Sequence, residues 1–318
     1  MTHKHIDTLQ PIFIVFLTYF FLASVFTVGK LTLQYTSPYF LTGTRFLLAG
    51  GVLLFLQVLL GRSLYIPRKL WKSLFVVAFF GVFLTNALEF WGLQYLPAAK
   101  TSLIYCLSPF ASIILSFFIL QEKLTFRKLI GLCIGMLGYI IIITPNTTSE
   151  DYLISYELIS MAELAVTCAA VSCILGWVYM KKIVVKEKFS IILSNAATFI
   201  LAGSLSLALS YFVEDWDPIP VWDLSVFLAG MAYIAFIHNI LGFNLYAYCL
   251  KKLSVTFMSF AGVVNPLLTA LIGWIVLGEG VGAYFFLSIG LILCGLFLFY
   301  REEISLPFVE NPELEIDE

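Results

Sequence analysis

Charged side chains are scarce in this sequence. Asp, Glu, Lys and Arg make up 12% of its 318 residues, whereas they make up about 25% of a typical soluble domain. Hydrophobic residues make up 61% of the chain, and its mean hydropathy is +0.97. A chain with so few charges cannot form a water-facing surface of normal polarity. The composition therefore excludes a soluble domain and predicts that the chain is embedded in a lipid bilayer.

Motifs for catalysis, metal binding and nucleotide hydrolysis are also missing. The sequence has three histidines, no HExxH pattern, and no aspartate securely within an apolar segment. An intramembrane enzyme needs a nucleophile with a base, paired aspartates or metal ligands, so no catalytic residue, metal or cofactor is assigned. No GxxxxGK loop occurs, so ATP does not drive the protein directly, and nothing predicts nucleic-acid binding. The six cysteines show neither CxxC nor Cys/His ligand spacing, which argues against a disulfide framework.

Apolar segments of membrane length follow one another along the chain. A helix crosses the ~30 Å hydrocarbon layer with about 20 residues. Ten segments meet this requirement, at 11–30, 38–60, 73–96, 99–120, 127–144, 157–180, 190–213, 224–250, 254–277 and 281–300. The first is too long for a signal peptide and is expected to be retained. The sequence therefore predicts an all-α membrane protein with ten transmembrane helices.

The basic residues are distributed unevenly among the predicted loops. With the N-terminus inside, fifteen of the 18 Lys and Arg residues lie on the cytoplasmic side, whereas the external loops carry acidic residues such as Glu150, Glu214 and Asp223. Positive charge on the cytoplasmic side is the general rule for membrane proteins. The pattern predicts a multi-pass protein of the plasma (inner) membrane with its N- and C-termini in the cytoplasm.

The sequence also repeats itself at a fixed offset of 157 residues. Ser102 corresponds to Ser259, and Gly138 corresponds to Gly295. Five spans per copy would leave the chain on the opposite side of the bilayer, so the second copy would be inverted relative to the first. The predicted organisation is two inverted five-helix repeats, at 1–146 and 147–301, and an acidic cytoplasmic tail at 302–318. Inverted repeats are typical of secondary transporters.

The motifs at these positions resemble those of the EamA-type drug/metabolite transporters. The first half carries ASVF at 23–26, SP at 37–38, TRFLLAG at 44–50, LSP at 107–109 and LQEKL at 120–124. The second half carries NP at 265–266 and GE at 278–279, without the basic residues that follow the first glutamate. The resemblance covers nearly the whole chain and implies a ten-helix carrier. That superfamily transports amino acids, nucleotide precursors, S-adenosylmethionine and drugs.

Pro109 and Pro266 each interrupt an apolar segment at equivalent positions of the two copies. Proline removes a backbone hydrogen bond and kinks a helix. The two prolines are therefore expected to mark symmetry-related kinks, which are either fixed or act as hinges. Glu122 and Glu279 follow 13 residues later, at opposite membrane surfaces, where each caps a helical turn or takes part in gating.

Arg45 and Glu89 lie at similar depths in the second and third segments, each seven residues from a segment end. A charge near the bilayer interior costs roughly 2.5–3.5 kcal/mol on insertion scales, so an Arg45–Glu89 ion pair is expected. This pair would either join two helices or contact a substrate. Snorkelling of Arg45 to the outer interface is a further alternative.

Other polar residues in the apolar segments are candidates for substrate binding. Glu163 lies near the outer end of the sixth segment, and His238 and Asn239 lie near the middle of the eighth. Transporter sites usually lie near mid-membrane. A purely structural role in hydrogen bonding is the alternative for each of the three.

Aromatic residues accompany these polar groups. Tyr19, Trp91 and Tyr105 are candidates to bind a substrate, while some of the other Trp and Tyr residues, near the segment ends, belong to the interfacial belts. Rings beside acidic groups suit a flat or cationic solute through stacking and cation–π attraction.

These features predict a secondary transporter that moves a small organic metabolite by alternating access, driven by exchange or an ion gradient. The expected substrate is an amino-acid-derived or nucleoside-bearing cation or zwitterion, such as an S-adenosylmethionine-type solute. The alternatives are a drug or amino-acid exporter of the same fold and a membrane receptor or assembly factor that does not transport. The predicted partners are the substrate and the lipid bilayer, and a homo-oligomer is left open.

Overall fold

The computed structural model describes residues 3–120, 160–217, 219–262 and 264–278, together with short helical pieces between 130 and 138 and between 286 and 298. Within these residues the chain is helical. The nearest approach to a strand there is an isolated antiparallel bridge between Thr36 and Val221.

Eight helices in the described residues are long and apolar enough to cross a membrane. They are α1 (Phe13–Thr32, the apolar part of a helix that begins at His3), α2 (Pro38–Leu59), α3 (Arg68–Tyr95), α4 (Ala98–Ile119), α5 (Met161–Lys186), α6 (Ile191–Val213), α7 (Leu224–Cys249) and α8 (Val255–Leu277). They confirm the first four predicted segments and the sixth to the ninth. The fifth and tenth, at 127–144 and 281–300, fall largely outside the described residues, so the count of ten helices stays a prediction.

Polar side chains determine where α5 and α7 begin. Ser160 and Glu163 form a capping box at α5, in which each side chain accepts the backbone N–H of the other residue. Asp223 accepts the N–H groups of Ser225 and Val226 at the start of α7. Hydrogen bonds from the Ser225 hydroxyl and these backbone groups lower the pKa of the exposed Asp223 carboxyl.

Irregular turns occur at equivalent places in the two halves of the chain. A π-helical segment lies at Val77–Leu84 in α3 and another at Ile234–Gly242 in α7, and their first residues differ by the repeat offset of 157. A 3₁₀ turn at Tyr105–Leu107 divides α4. Likewise, α8 consists of two segments, Val255–Ala261 and Val264–Leu277. Such π-helical turns within α-helices are frequent at functional sites.

Pro109 and Pro266 lie beside the interruptions of α4 and α8. Pro109 is the second residue of the segment that begins at Ser108, and Pro266 is the third residue of the segment that begins at Val264. Each proline therefore lies in the first turn of a new segment, where its missing N–H leaves no hydrogen bond unmade. A hinge motion at these sites stays a prediction, and Glu122 and Glu279 lie outside the described residues.

Glycines allow two pairs of helices to approach closely. A Cβ atom added to Gly176 of α5 would lie 2.3 Å from the Cα of Gly81 on α3. Between α2 and α6, Gly43, Gly50 and Gly203 meet the facing helix at distances that leave no room for a larger side chain. Small residues at helix crossings are the usual basis of close packing in membranes.

The helix contacts follow a reciprocal pattern when α1–α4 are compared with α5–α8. Helix α3 packs against α5, and correspondingly α7 packs against α1. Helix α4 also contacts α5, and α8 contacts α1. Two further pairs, α2 with α6 and α4 with α8, join helices that are equivalent to each other.

The segment between α6 and α7 covers the start of α2. The carboxylate of Glu214 accepts the N–H groups of Tyr39 and Phe40 at 2.7 and 3.0 Å. The N–H of Trp222 donates to the carbonyl oxygen of Tyr35 at 2.8 Å. An acidic group at a helix N-terminus is favourable because it satisfies free N–H groups and interacts with the helix dipole.

Candidate functional site

Arg45 lies on α2 and has no exposed surface. Its Nη2 donates to Oδ1 of Asn86 on α3 at 2.6 Å, and its Nη1 donates to Oδ1 of Asn239 on α7 at 3.2 Å. The centroids of the Phe46 and Phe90 rings lie 4.6 and 4.3 Å from the guanidinium carbon. The cation thus joins three helices through neutral amides and aromatic faces.

The predicted ion pair between Arg45 and Glu89 is not formed, because the amides of Asn86 and Asn239 accept the hydrogen bonds of the guanidinium. Glu89 lies about one helical turn beyond Asn86 on α3. The two charges remain within electrostatic range of each other.

Glu89 instead binds the hydroxyl of Tyr105. Its Oε2 accepts a hydrogen bond from this phenol, which lies at the 3₁₀ turn of α4. Cys173 on α5 lies near both groups. The buried carboxylate therefore lies where α3, α4 and α5 meet.

Stacked aromatic rings also lie near Cys173. Trp177 lies one turn further along α5 and stacks on Tyr246 of α7, with ring centroids 4.0 Å apart and an angle of 25° between the planes. Tyr19 of α1 meets Tyr246 edge to face at 6.1 Å. Cys173 also lies near both tyrosines.

These residues form one group that we call the central cluster, consisting of Glu89, Tyr105, Cys173, Trp177, Tyr246 and Tyr19. They come from five helices, which belong to both halves of the chain. The cluster has an acidic end at Glu89 and an aromatic end at Trp177. Its chemistry suits a solute that carries both a positive charge and a ring system.

His238 and Asn239 lie in the π-helical segment of α7 and are buried. Asn239 accepts a hydrogen bond from Arg45 and also donates through Nδ2 to the Arg45 carbonyl oxygen at 3.4 Å. The His238 ring meets Phe243 edge to face, with centroids 5.4 Å apart. Asn239 therefore positions Arg45 in this structure, and direct contact of either residue with a substrate stays a prediction.

Glu163 and Trp91 lie outside the central cluster. Both carboxylate oxygens of Glu163 are engaged, one by the backbone N–H of Ser160 and the other by Lys100. Trp91 is partly buried and packs against Tyr95, with ring centroids 5.2 Å apart. Glu163 thus acts as a helix cap and an ion-pair partner here, and a substrate-binding role for it or for Trp91 stays a prediction.

Four residues of the site were not predicted from the sequence as site residues: Asn86, Cys173, Trp177 and Tyr246. Asn86 lies three residues before Glu89, which is the helical spacing of a shared face. The spacing could therefore have indicated that Asn86 lies on the same helix face as Glu89. Nothing local in the sequence indicates the stacking of Trp177 on Tyr246, because the two rings come from different halves of the chain. Within the described part of the chain, no group of three His, Cys, Asp or Glu residues is placed to hold a metal ion.

Curated relatives cover almost the whole of the chain. It is 34% identical over 305 residues to the S-adenosylmethionine/S-adenosylhomocysteine transporter of Chlamydia muridarum (strain MoPn / Nigg), covering 96% of each protein. It is 33% identical to the protein of the same name from Chlamydia trachomatis serovar L2, covering 96% of this chain and 93% of that protein. An uncharacterized transporter of Archaeoglobus fulgidus is 26% identical over 289 residues, covering 90% of this chain and 97% of that protein.

A solved crystal structure shows the same fold. It matches with a TM-score of 0.68 at 18% identity, covering 94% of this chain and 99% of the matched chain. In addition, the model of the EamA-like transporter family matches twice, at residues 9–144 and 160–301. The membrane-length helices, the repeated motifs and these two matches agree, and the chain belongs to the EamA-like transporter family.

Proposed function

We propose that the protein exchanges S-adenosylmethionine and S-adenosylhomocysteine across the plasma membrane by alternating access, without changing them chemically. Membership of a transporter family gives the general activity. The names of the relatives at 33–34% identity support the substrate. The single observation that carries the proposal is the central cluster, which joins a buried carboxylate to stacked rings between the two halves of the chain.

The two ends of the central cluster match the two ends of S-adenosylmethionine. That molecule carries a sulfonium and an ammonium group near one end and an adenine ring at the other. Glu89 would attract the positive groups, while Trp177 and Tyr246 would stack on the adenine. S-adenosylhomocysteine lacks the sulfonium charge but keeps the ammonium and the adenine, so one site can accept both molecules.

The two halves contribute different chemistry at equivalent positions. Under the offset of 157 residues, Glu89 corresponds to Tyr246, and Arg45 corresponds to Ala202. A doubled fold with unlike residues at equivalent positions favours a single asymmetric site rather than two copies of one site. This is the arrangement expected for a carrier that binds one elongated substrate at a time.

The reciprocal helix contacts support the two inverted repeats that alternating access requires. Contacts of α3 with α5 and of α7 with α1 are the pair that a two-fold relation between the halves would produce. The π-helical segments at Val77–Leu84 and Ile234–Gly242 follow the same relation. We propose that the halves rock about the central cluster, as in other carriers with inverted repeats.

Purified protein in liposomes tests the proposed function. Vesicles loaded with unlabelled S-adenosylhomocysteine should take up labelled S-adenosylmethionine faster than vesicles without internal substrate. The control is protein-free vesicles with the same load. Uptake equal to these controls would contradict a carrier and support a receptor.

We further propose that both termini lie in the cytoplasm of a ten-helix protein. Reporter fusions after Glu318 and just after Lys186, where α5 ends, should then both give cytoplasmic signals, because the basic loops stay on the inner side. A fusion in the segment near Asp217, between α6 and α7, serves as the external control. An external signal at Glu318 or Lys186 would contradict the proposed topology.

Trp177→Leu tests the aromatic end of the central cluster. Loss of the stack with Tyr246 should raise the KM for S-adenosylmethionine by about 3- to 10-fold, since aromatic pairs contribute about 0.5–1.5 kcal/mol beyond their buried area. The control is Trp71→Leu, because Trp71 is 61% exposed at the start of α3. If Trp177→Leu left the KM unchanged, the adenine would not stack on Trp177.

A further inference from the structure

The guanidinium of Arg45 is a buried cation whose hydrogen bonds go to neutral acceptors. Its partners Asn86 and Asn239 supply amide oxygens at 2.6 and 3.2 Å. A carboxylate adds a second charge and a bidentate geometry to the hydrogen bonds that a guanidinium makes with neutral amides. An incoming carboxylate can therefore displace an amide from Arg45.

Two buried nitrogen atoms in this region have no partner. Among the atoms of the described residues, neither Nε of Arg45 nor Nδ1 of His238 forms a hydrogen bond. The two side chains lie in the same region, because the His238 ring contacts Phe243, the Phe243 ring contacts Phe46, and Phe46 lies against the Arg45 guanidinium. Unpaired buried polar atoms are rare and require an explanation.

We propose that Arg45 and His238 bind the α-carboxylate of the transported amino acid; this inference rests on the proposed function and assigns that group of the substrate. A carboxylate bound to Nε and to one neighbouring Nη nitrogen needs to displace only one amide. Its second oxygen can then accept a hydrogen bond from His238. The binding step needs α2 and α7 to separate, since Arg45 has no exposed surface in this conformation.

The position of Glu89 fits the other charge of the same amino acid. Arg45 and Glu89 are in electrostatic range but share no hydrogen bond. A pair of opposite charges that do not bind each other can each bind a group of opposite charge on one substrate. An α-amino acid carries its ammonium and carboxylate on one carbon, so it can bridge Glu89 and Arg45 and complete the interaction that the protein leaves open.

Decarboxylated S-adenosylmethionine, which lacks only the carboxylate, tests the assignment in proteoliposomes. The wild-type protein should transport S-adenosylmethionine at least about tenfold more efficiently than this analogue, measured as kcat/KM. In Arg45→Gln this preference should fall to within about threefold, while transport of the analogue persists. Arg45→Lys, which keeps the positive charge, should retain part of the preference. Lys69→Gln, at the well-exposed start of α3, serves as the matched control.

Two results would overturn the assignment. The first is a wild-type protein that does not discriminate between the two compounds, and the second is an Arg45→Gln variant that loses transport of both equally. If Arg45→Gln does not fold, His238→Phe carries the test, because it keeps the ring contact with Phe243 but removes the nitrogen donor. A preference unchanged in His238→Phe would then contradict the site. A wild-type protein that transports neither compound would instead refute the proposed function.

Discussion

Glu89→Gln should reduce transport of S-adenosylmethionine by about 10- to 100-fold. The substitution keeps the shape of the side chain but removes the negative charge that binds the Tyr105 hydroxyl. A charge-assisted hydrogen bond contributes about 1.5–3 kcal/mol, and the attraction for the positive groups of the substrate is lost as well. The measurement is uptake into proteoliposomes that contain equal amounts of folded protein.

Glu187→Gln is the matched control for this prediction. Glu187 is also a carboxylate, but it pairs with Lys69, which is well exposed, near the end of α5. Surface ion pairs contribute about 0–1 kcal/mol, so this variant should transport normally. Normal transport by Glu89→Gln would show that the charge of Glu89 does not take part in substrate binding. Loss of folded Glu89→Gln protein would show that Glu89 serves to join helices.

Gly176→Ala should destabilise the protein and impair transport. The new Cβ atom would lie 2.3 Å from the Cα of Gly81, so α3 and α5 would have to move apart. Overpacking of this kind costs about 1–3 kcal/mol. Cys173 and Trp177 lie within one turn of Gly176 on α5, so the shift would also displace the central cluster. Thermal unfolding in detergent and transport in proteoliposomes measure the two effects.

Gly51→Ala serves as the comparison for Gly176→Ala. Gly51 lies within α2, and a Cβ atom at this position would have no neighbour within 4 Å. Alanine is favoured over glycine inside a helix by about 1 kcal/mol, so Gly51→Ala should keep or raise the stability. Equal stability of the two variants would mean that α3 and α5 do not cross as closely as described.

The positions of these eight helices, and the interruptions of two of them, were predictable from the sequence. Long apolar segments give the positions of α1–α4 and α5–α8, because a continuous apolar helix of about 20 residues satisfies its own backbone hydrogen bonds across the lipid. Pro109 and Pro266 lie at matched positions and mark the interruptions of α4 and α8. The π-helical segments of α3 and α7 could not be read in the same way, since no residue type requires such a turn.

The partners of Arg45 show why the site itself was harder to predict. Arg45 and Glu89 lie the same number of residues from a segment end, which predicts a similar depth in the membrane. Because their charges are opposite, an ion pair was the simplest expectation. The rotation of each helix about its axis decides which side chains meet, and this rotation depends on contacts such as Gly81 with Gly176. Asn86 and Asn239 were thereby brought to the guanidinium, while Glu89 was left to Tyr105.

The repeat offset was informative about the fold but not about the chemistry of the site. Tyr105 at the interruption of α4 corresponds to Gly262 at the interruption of α8. A Cβ atom at Gly262 would lie 3.2 Å from the ring of Tyr19, so a tyrosine ring lies beside the interruption in each half. In one half it comes from the interrupted helix itself, and in the other it comes from α1. Aligning the sequences of the two halves does not reveal that Tyr19 of α1 takes the place of an equivalent of Tyr105.

An experimental structure with bound S-adenosylhomocysteine is the most direct test of the central claim. The proposal predicts that the ligand lies between the two halves, with its amino-acid end at Glu89 and Arg45 and its adenine ring against Trp177 and Tyr246. A ligand bound outside the central cluster, with Glu89 still bonded to Tyr105 and Arg45 to Asn86 and Asn239, would contradict it.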